Sequence, residues 1–357
     1  MVSSDMNHAF QNSYSNFLGE KYGYIFLVYF IIFTSVIFYN FTDAESIPDY
    51  YSYLQIIDSI YYFYDPSQIY YEPASTLLLY TSRLITGDAI SAVSLARYFI
   101  TSLFVIFFYI LGKYKKVPLL SLVFILSVFG PLIIFVTIRA TPAYMLVAIA
   151  ALDAKEGRVR AMLWAFLALQ FHVSVILAFP PIILSLIQNR TNYFSFIEKS
   201  MNGVIAFFGV IGLIFIIFGQ SFSNLLLQAV GQIGFLMKYV AYVGVLDQNN
   251  ANYVATEAGS QTYHRIYLGA ASMFFLFFIF LKDRDCIKFR SYTIVSFVIF
   301  LFMQFSPVTA FRYSIYWMIP GLLLVPWSSY LKPPVIRIAT IVMCLGAFIF
   351  QLSKITI

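Results

Sequence analysis

Of 357 residues, 61% are hydrophobic, 20% aromatic and only 11% charged, with a net charge of +6. A soluble domain carries roughly 25% charged residues, so this composition lacks a water-facing skin and excludes an ordinary soluble protein. The positive balance arises from where the cations sit between apolar blocks, so nucleic acid is not implied.

In chain order, the apolar blocks predict spans at 24–41, 89–111 and 117–138, a short block at 142–152 and a long one at 161–186. Further blocks follow at 204–219, 264–281, 292–305, 313–327 and 335–352. A crossing helix needs about 20 apolar residues. Block 161–186 overshoots that length and carries Pro180-Pro181, so it is read as two half-length helices folded back at the prolines. The expected fold is an all-α polytopic membrane protein of about 10–12 transmembrane helices, one transmembrane domain over residues 1–357. Residues 1–23 are polar, with no apolar stretch before a small-residue cleavage site, so the first span is expected to act as an uncleaved insertion signal.

The cations fix the orientation. Lys21, Lys113, Lys115, Lys116, Lys155, Arg158, Arg160, Arg190, Lys199, Lys282, Arg284, Lys288, Arg290, Lys332 and Arg337 occupy one alternate set of gaps, 15 of the 22 in the chain. By the positive-inside rule that set is cytoplasmic, as is the N-terminus. The first gap on the other side, 42–82, holds six acids and no Lys or Arg. Two long loops, 42–88 and 220–263, then face outward, and chemistry is expected there.

Both outer loops show helical periodicity. Tyr50, Tyr53, Leu54, Ile57, Ile60, Tyr61 and Tyr64 recur at i, i+3, i+4 spacing, and Glu72-Pro73 opens another helix. Phe222, Leu225, Leu226, Val230, Ile233, Leu236, Met237 and Val240 repeat the stripe in the second loop. Tyrosine-rich amphipathic helices settle at the membrane interface, the setting expected for both. The polar run 247–260 is expected to form a mobile lid.

Seven cations fall outside the cytoplasmic set: Arg83, Arg97, Arg139, Lys238, Arg265, Arg312 and Lys354. A charge in hydrocarbon costs on the order of 3 kcal/mol on insertion scales and is usually there for a partner or ligand. Arg97 lies about 12 Å into a span. Arg139 precedes Thr141-Pro142, an expected N-cap and first helical residue, and Ser306-Pro307 repeats that setting five residues before Arg312. Guanidinium beside a helix N-terminus suits phosphate; pairing with an acid such as Glu72 or Asp88 is the structural alternative. His172 lies mid-block, and His264 opens a span beside Arg265. Cys286 and Cys344 have neither disulfide nor metal spacing. Metal clusters, Gly-rich phosphate loops and nucleophile elbows are lacking, so neither metal nor cofactor is expected.

The order of these short motifs resembles a known family. Asp49-Tyr50-Tyr51-Ser52-Tyr53, Tyr71-Glu72-Pro73, Ile138-Arg139 with Pro142-Ala143, Ala168-Leu169-Gln170-Phe171-His172 and Phe311-Arg312-Tyr313 follow the sequence seen in EpsG-like exopolysaccharide polymerases. These are relatives of the Wzy-type O-antigen, lipopolysaccharide and capsule repeat-unit polymerases. The resemblance covers roughly residues 49–313, with 204–261 unmatched; Pro142 departs from the small or polar residue expected after the arginine. It implies a GT-C-type, metal-independent glycosyltransferase in the bacterial inner membrane, with its active site facing the periplasm. The substrates would be undecaprenyl-pyrophosphate-linked glycans, and a chain-length regulator would be a partner. Glu72, His172 and Asp49 are the base candidates, with Glu72 favoured. Arg139, Arg312, Arg97, Arg265 and Tyr313 would hold substrate or pyrophosphate, with Arg139 and Arg312 expected to converge in one cavity.

Rival readings are a lipid-linked oligosaccharide flippase, a membrane acyltransferase and a single-sugar GT-C transferase. A flippase would show two similar halves, and no repeat is evident. An acyltransferase would pair a reactive histidine with an acid, and His172 has none nearby in sequence. Asp43-Ala44-Glu45 keeps the single-sugar transferase open.

Overall fold

The structure, a computed structural model, describes residues 2–42, 50–63, 72–113, 117–191, 269–303, 307–331 and 333–355. Regular structure among them is helical throughout. In order come α1 (Val2–Phe41), α2 (Tyr50–Phe63), α3 (Pro73–Thr86), α4 (Ala89–Lys113) and α5 (Leu119–Pro131), which runs into a π-helical turn, Leu132–Val136. Then follow α6 (Ala140–Lys155), α7 (Arg160–Phe171), a 3₁₀ segment Val173–Ala178 and α8 (Phe179–Thr191). After the undescribed stretch come α9 (Gly269–Phe280), α10 (Arg284–Phe302), α11 (Pro307–Leu324), α12 (Trp327–Tyr330) and α13 (Pro334–Ile355). The chain is an all-α polytopic membrane protein. Among the described residues, Tyr22–Phe41, Ala89–Gly112, Leu119–Val136, Val173–Arg190 and Pro334–Leu352 are long and apolar enough to cross a membrane. Block 204–219, the second outer loop with its lid, Asp49 and Arg265 lie outside the described residues.

The chain divides into two compact units. One holds Met1–Leu146, Phe166–Val173 and Leu322–Ile357; the other holds Val147–Ala165 and Ser174–Gly321.

In the first unit α5 is central, packed against α13 and touching α1 and α12. A Cβ at Gly130 would lie 2.9 Å from the Phe348 ring, so glycine permits this close approach. α13 turns its other faces outward: Val335, Ile338, Val342, Met343 and Phe350 are exposed, an apolar surface suited to lipid. α2, α3 and α4 pack on one another. Their core holds Tyr50, Tyr53, Ile57 and Leu79 against Ala92, Val93, Ala96 and Ile100. The Ala92 and Ala96 pair, one turn apart, lets the tyrosine rings sit close to the α4 backbone. The tyrosine stripe of α2 is therefore protein core, which corrects the expected membrane-surface setting: its apolar face meets α3 and α4, and Tyr51 points outward.

Two helix boundaries differ from expectation. The break in block 161–186 falls at His172, and Pro180-Pro181 sit in the first turn of α8, where missing N–H groups cost nothing. The His172 amide still donates to Ala168 O at 3.2 Å, and the helix ends there. α6 starts at Ala140, so Thr141 lies inside its first turn, with its buried hydroxyl directed back to the Ile133 and Thr137 carbonyls. The π turn before it follows Gly130-Pro131. The Thr137 amide reaches back five residues to Leu132 O at 3.1 Å, a wide turn of the kind that recurs at functional sites.

In the second unit, α10 packs on α8. Asn189 of α8 donates to Ser185 O at 2.8 Å and to Lys288 O at 3.1 Å, joining the pair. Asp153, at the end of α6, is fully buried. It accepts from Arg160 Nε at 2.7 Å and Nη2 at 3.0 Å, from Arg158 Nη1 at 3.3 Å and from Trp164 Nε1 at 3.0 Å.

Candidate functional site

Glu72 is the centre of the first unit's polar cluster. It occupies the N-cap position of α3, with Pro73 as the first helical residue, yet its side chain makes no capping bond to that helix. Its backbone, at φ −146° and ψ 66°, is neither helical nor fully extended, and the carboxylate turns away from its own helix. It is buried, 6% exposed. Oε2 accepts from Arg139 Nη1 at 2.7 Å, and Oε1 accepts from the Val173 amide at 3.3 Å. His172 Nε2 lies 3.9 Å from Oε1, within ion-pair reach when the imidazole is protonated.

Three chain breaks build this cluster. The pre-proline kink presents Glu72. The end of α7 at His172 leaves the Val173 N–H outside the helix ladder, and it turns to Glu72. The π turn and the two residues after it place Arg139 at the entry to α6. Ser75 Oγ donates to Phe171 O at 2.7 Å and fastens α3 to the end of α7. Tyr53 fastens the arginine's loop: its hydroxyl donates to Val136 O at 3.3 Å and accepts from the Ile138 amide at 3.0 Å. The Arg139 Cζ sits 5.9 Å from the centre of the same ring, so one side chain holds the loop by hydrogen bonds and meets the guanidinium with its π face.

Arg97 is buried, 2% exposed, with its Cζ 5.6 Å from the centre of the Tyr50 ring. Of the site residues expected from sequence, Glu72, His172 and Arg139 come together, and Arg97 lies in the same unit beneath α2. Arg312 and Tyr313 belong to the second unit. Arg312 is half-buried; Tyr313 is buried, and its hydroxyl donates to Leu177 O of the 3₁₀ segment at 3.3 Å. Within that unit Tyr316 shares a 2.7 Å hydrogen bond with Ser174, and its carbonyl accepts from Tyr292 Oη at 2.9 Å.

Sequence reasoning missed the Val173 amide and the double role of Tyr53. The i, i+3, i+4 spacing marked Tyr53 as part of an apolar stripe, while its phenol acts on a loop 83 to 85 residues away.

The cluster joins a carboxylate that can take a proton to a guanidinium that can hold an anion. The model of the EpsG family matches residues 23–357, nearly the whole chain. The chain belongs to the EpsG family. Membership points to a glycosyltransferase-like polymerase of polysaccharide repeat units, bound to the membrane. No curated protein and no solved structure matches the chain. The EpsG match spans every member of the Glu72 cluster, from Tyr53 to Val173.

Proposed function

We propose that the protein joins undecaprenyl-pyrophosphate-linked oligosaccharide repeat units into a surface polysaccharide, working on the outer face of the bacterial inner membrane as a GT-C-type transferase. A hydroxyl of the acceptor repeat attacks the anomeric carbon of the donor chain. The new C–O bond forms as the bond to pyrophosphate breaks, and undecaprenyl pyrophosphate departs with the electron pair. Glu72 takes the proton from the attacking hydroxyl. Arg139 neutralises the charge that develops on the leaving pyrophosphate. Arg312 is a second anion contact, and Arg97 and Arg265 lend positive potential. His172 and Asp49 are the alternative bases. Tyr313 is a further contact for substrate or pyrophosphate. The residues 247–260 gate lipid-linked substrate, and a chain-length regulator is the expected partner.

The observation that carries this reading is the Glu72–Arg139 pair, a proton acceptor and an anion holder 2.7 Å apart beside a helix break. The test is complementation of a deletion strain, with surface glycan resolved on a gel. Wild type restores the ladder, while Arg139→Ala and Glu72→Gln leave one repeat unit attached. A full ladder from either variant refutes the assignment; loss of even the single repeat points to a flippase.

One observation favours a second reading. His172 does have an acidic neighbour in space, Glu72 at 3.9 Å, which is what an acyltransferase would need. Transfer of a labelled acyl group to membrane glycan, lost in His172→Ala with the glycan ladder intact, would establish it.

A further inference from the structure

We propose that the Glu72–Arg139 ion pair is a latch opened by the substrate's own pyrophosphate, so that the base is released only when the leaving group is seated. The inference rests on the polymerase reading and concerns the regulation of its site.

The two functional groups are engaged with each other. Arg139 Nη1 donates to Glu72 Oε2 at 2.7 Å, and the Val173 amide holds Oε1 at 3.3 Å. The Glu72 side chain is 9% exposed and the Arg139 side chain 28%. An incoming anion therefore meets the arginine first, while the acid is screened behind it. Pyrophosphate carries more than one negative charge and matches the planar guanidinium fork better than a single carboxylate oxygen does. Seated at Arg139, it places like charge beside Glu72. Arg139 then turns to the phosphate, and the carboxylate swings toward the acceptor hydroxyl, still tied to the Val173 amide as a pivot. In the empty site the same pairing keeps the base from activating water against the glycan.

Competition for one guanidinium has a definite sign. If Glu72 and the anion exclude each other at Arg139, neutralising Glu72 tightens anion binding, because such coupling is reciprocal. A carboxylate that merely props up Arg139 gives the opposite sign.

The experiment is binding of farnesyl pyrophosphate, a soluble prenyl pyrophosphate that carries no sugar, to the full chain in nanodiscs. Wild type, Glu72→Gln, Arg139→Gln and the double variant are compared. The latch predicts about tenfold tighter binding by Glu72→Gln and at least tenfold weaker binding by Arg139→Gln. The double variant should match Arg139→Gln, because the gain needs the arginine. Unchanged or weaker binding by Glu72→Gln overturns the latch. If the Gln variant unfolds, Glu72→Ala carries the same sign test. Failure of the polymerase reading looks different: wild type then binds farnesyl pyrophosphate no better than farnesol, which overturns both.

Discussion

Two arginine–carboxylate clusters in this molecule are built in opposite ways. Asp153 draws its donors from its own neighbourhood, Arg158, Arg160 and Trp164, 5 to 11 residues along the chain. Glu72 draws its own from 67 and 101 residues away. Asp153 is wholly buried and takes four hydrogen bonds, so each carboxylate oxygen is satisfied by the local turn that closes α6 onto α7. Glu72 accepts from one guanidinium and one amide, with His172 Nε2 3.9 Å away, and the Arg139 side chain is 28% exposed. A cluster closed by local sequence is a fastening. A cluster assembled from three distant chain breaks, with its arginine partly exposed, is the proposed ligand site.

The largest expected effect separates the two by activity. Glu72→Gln should lower kcat about 10²–10³-fold, the usual loss for a general base, with the protein still folded and inserted. Asp153→Asn should leave kcat per folded molecule within about twofold of wild type. Kinetics in proteoliposomes, normalised to folded protein, decide it; equal kcat losses would merge the two clusters into one kind.

Stability should show the reverse order. Removing Asp153 leaves the Trp164 indole N–H without this acceptor, at about 1–3 kcal/mol, while the half-exposed Arg158 and Arg160 turn to water. Asp153→Ala should therefore lower the thermal midpoint in detergent, and Glu72→Gln should move it much less.

Tyr53→Phe tests whether the arginine's loop is held from below. The ring and its contact with Arg139 stay, while two hydrogen bonds are lost at about 1 kcal/mol each. KM for the lipid-linked donor should rise about tenfold, with kcat changed less. A fall in stability with unchanged KM would make Tyr53 a packing residue.

The smallest effect is a control on electrostatics outside both clusters. Asp88 is exposed, and the Ser91 amide at 2.8 Å together with the Ser91 hydroxyl holds its carboxyl below the usual range. A depressed carboxyl stabilises the fold above its ordinary pKa and loses that contribution as pH falls through the depressed value. Amide exchange at Ser91, corrected for its intrinsic pH dependence, should quicken on acidification, and Asp88→Asn should abolish the change. No pH effect in wild type would show that the cap is not formed in solution.

Much of the fold was legible in the sequence because its signals are local. The period of Tyr50, Tyr53, Ile57 and Ile60 gave α2, and Glu72-Pro73 marked where α3 begins. The period says which face is apolar, but it does not say what covers that face, so α2 was expected on the membrane and is found against α3 and α4. Pro180-Pro181 misled because proline is tolerated in the first turn of a helix, and the break moved to His172. Glu72, Arg139 and His172 were each legible as uncommon residues in apolar surroundings. The Glu72–Arg139 pair was expected only as the structural alternative to an anion site, and it is the pairing found; the approach of His172 and the Val173 amide was not foreseen, since nothing local couples residues so far apart. Asp153 was passed over although it could have been seen: an acid ending an apolar helix just before Arg158 and Arg160 cannot stay unpaired in a buried setting.

The most direct measurement of the central claim is single-turnover transfer in proteoliposomes, with purified lipid-linked donor and acceptor repeats, comparing wild type, Glu72→Gln and Arg139→Lys. The account predicts dimeric repeat formed at least about 100-fold more slowly by Glu72→Gln and slow, partial product for Arg139→Lys, whose point charge lacks the planar fork. Wild-type product from Glu72→Gln would contradict it.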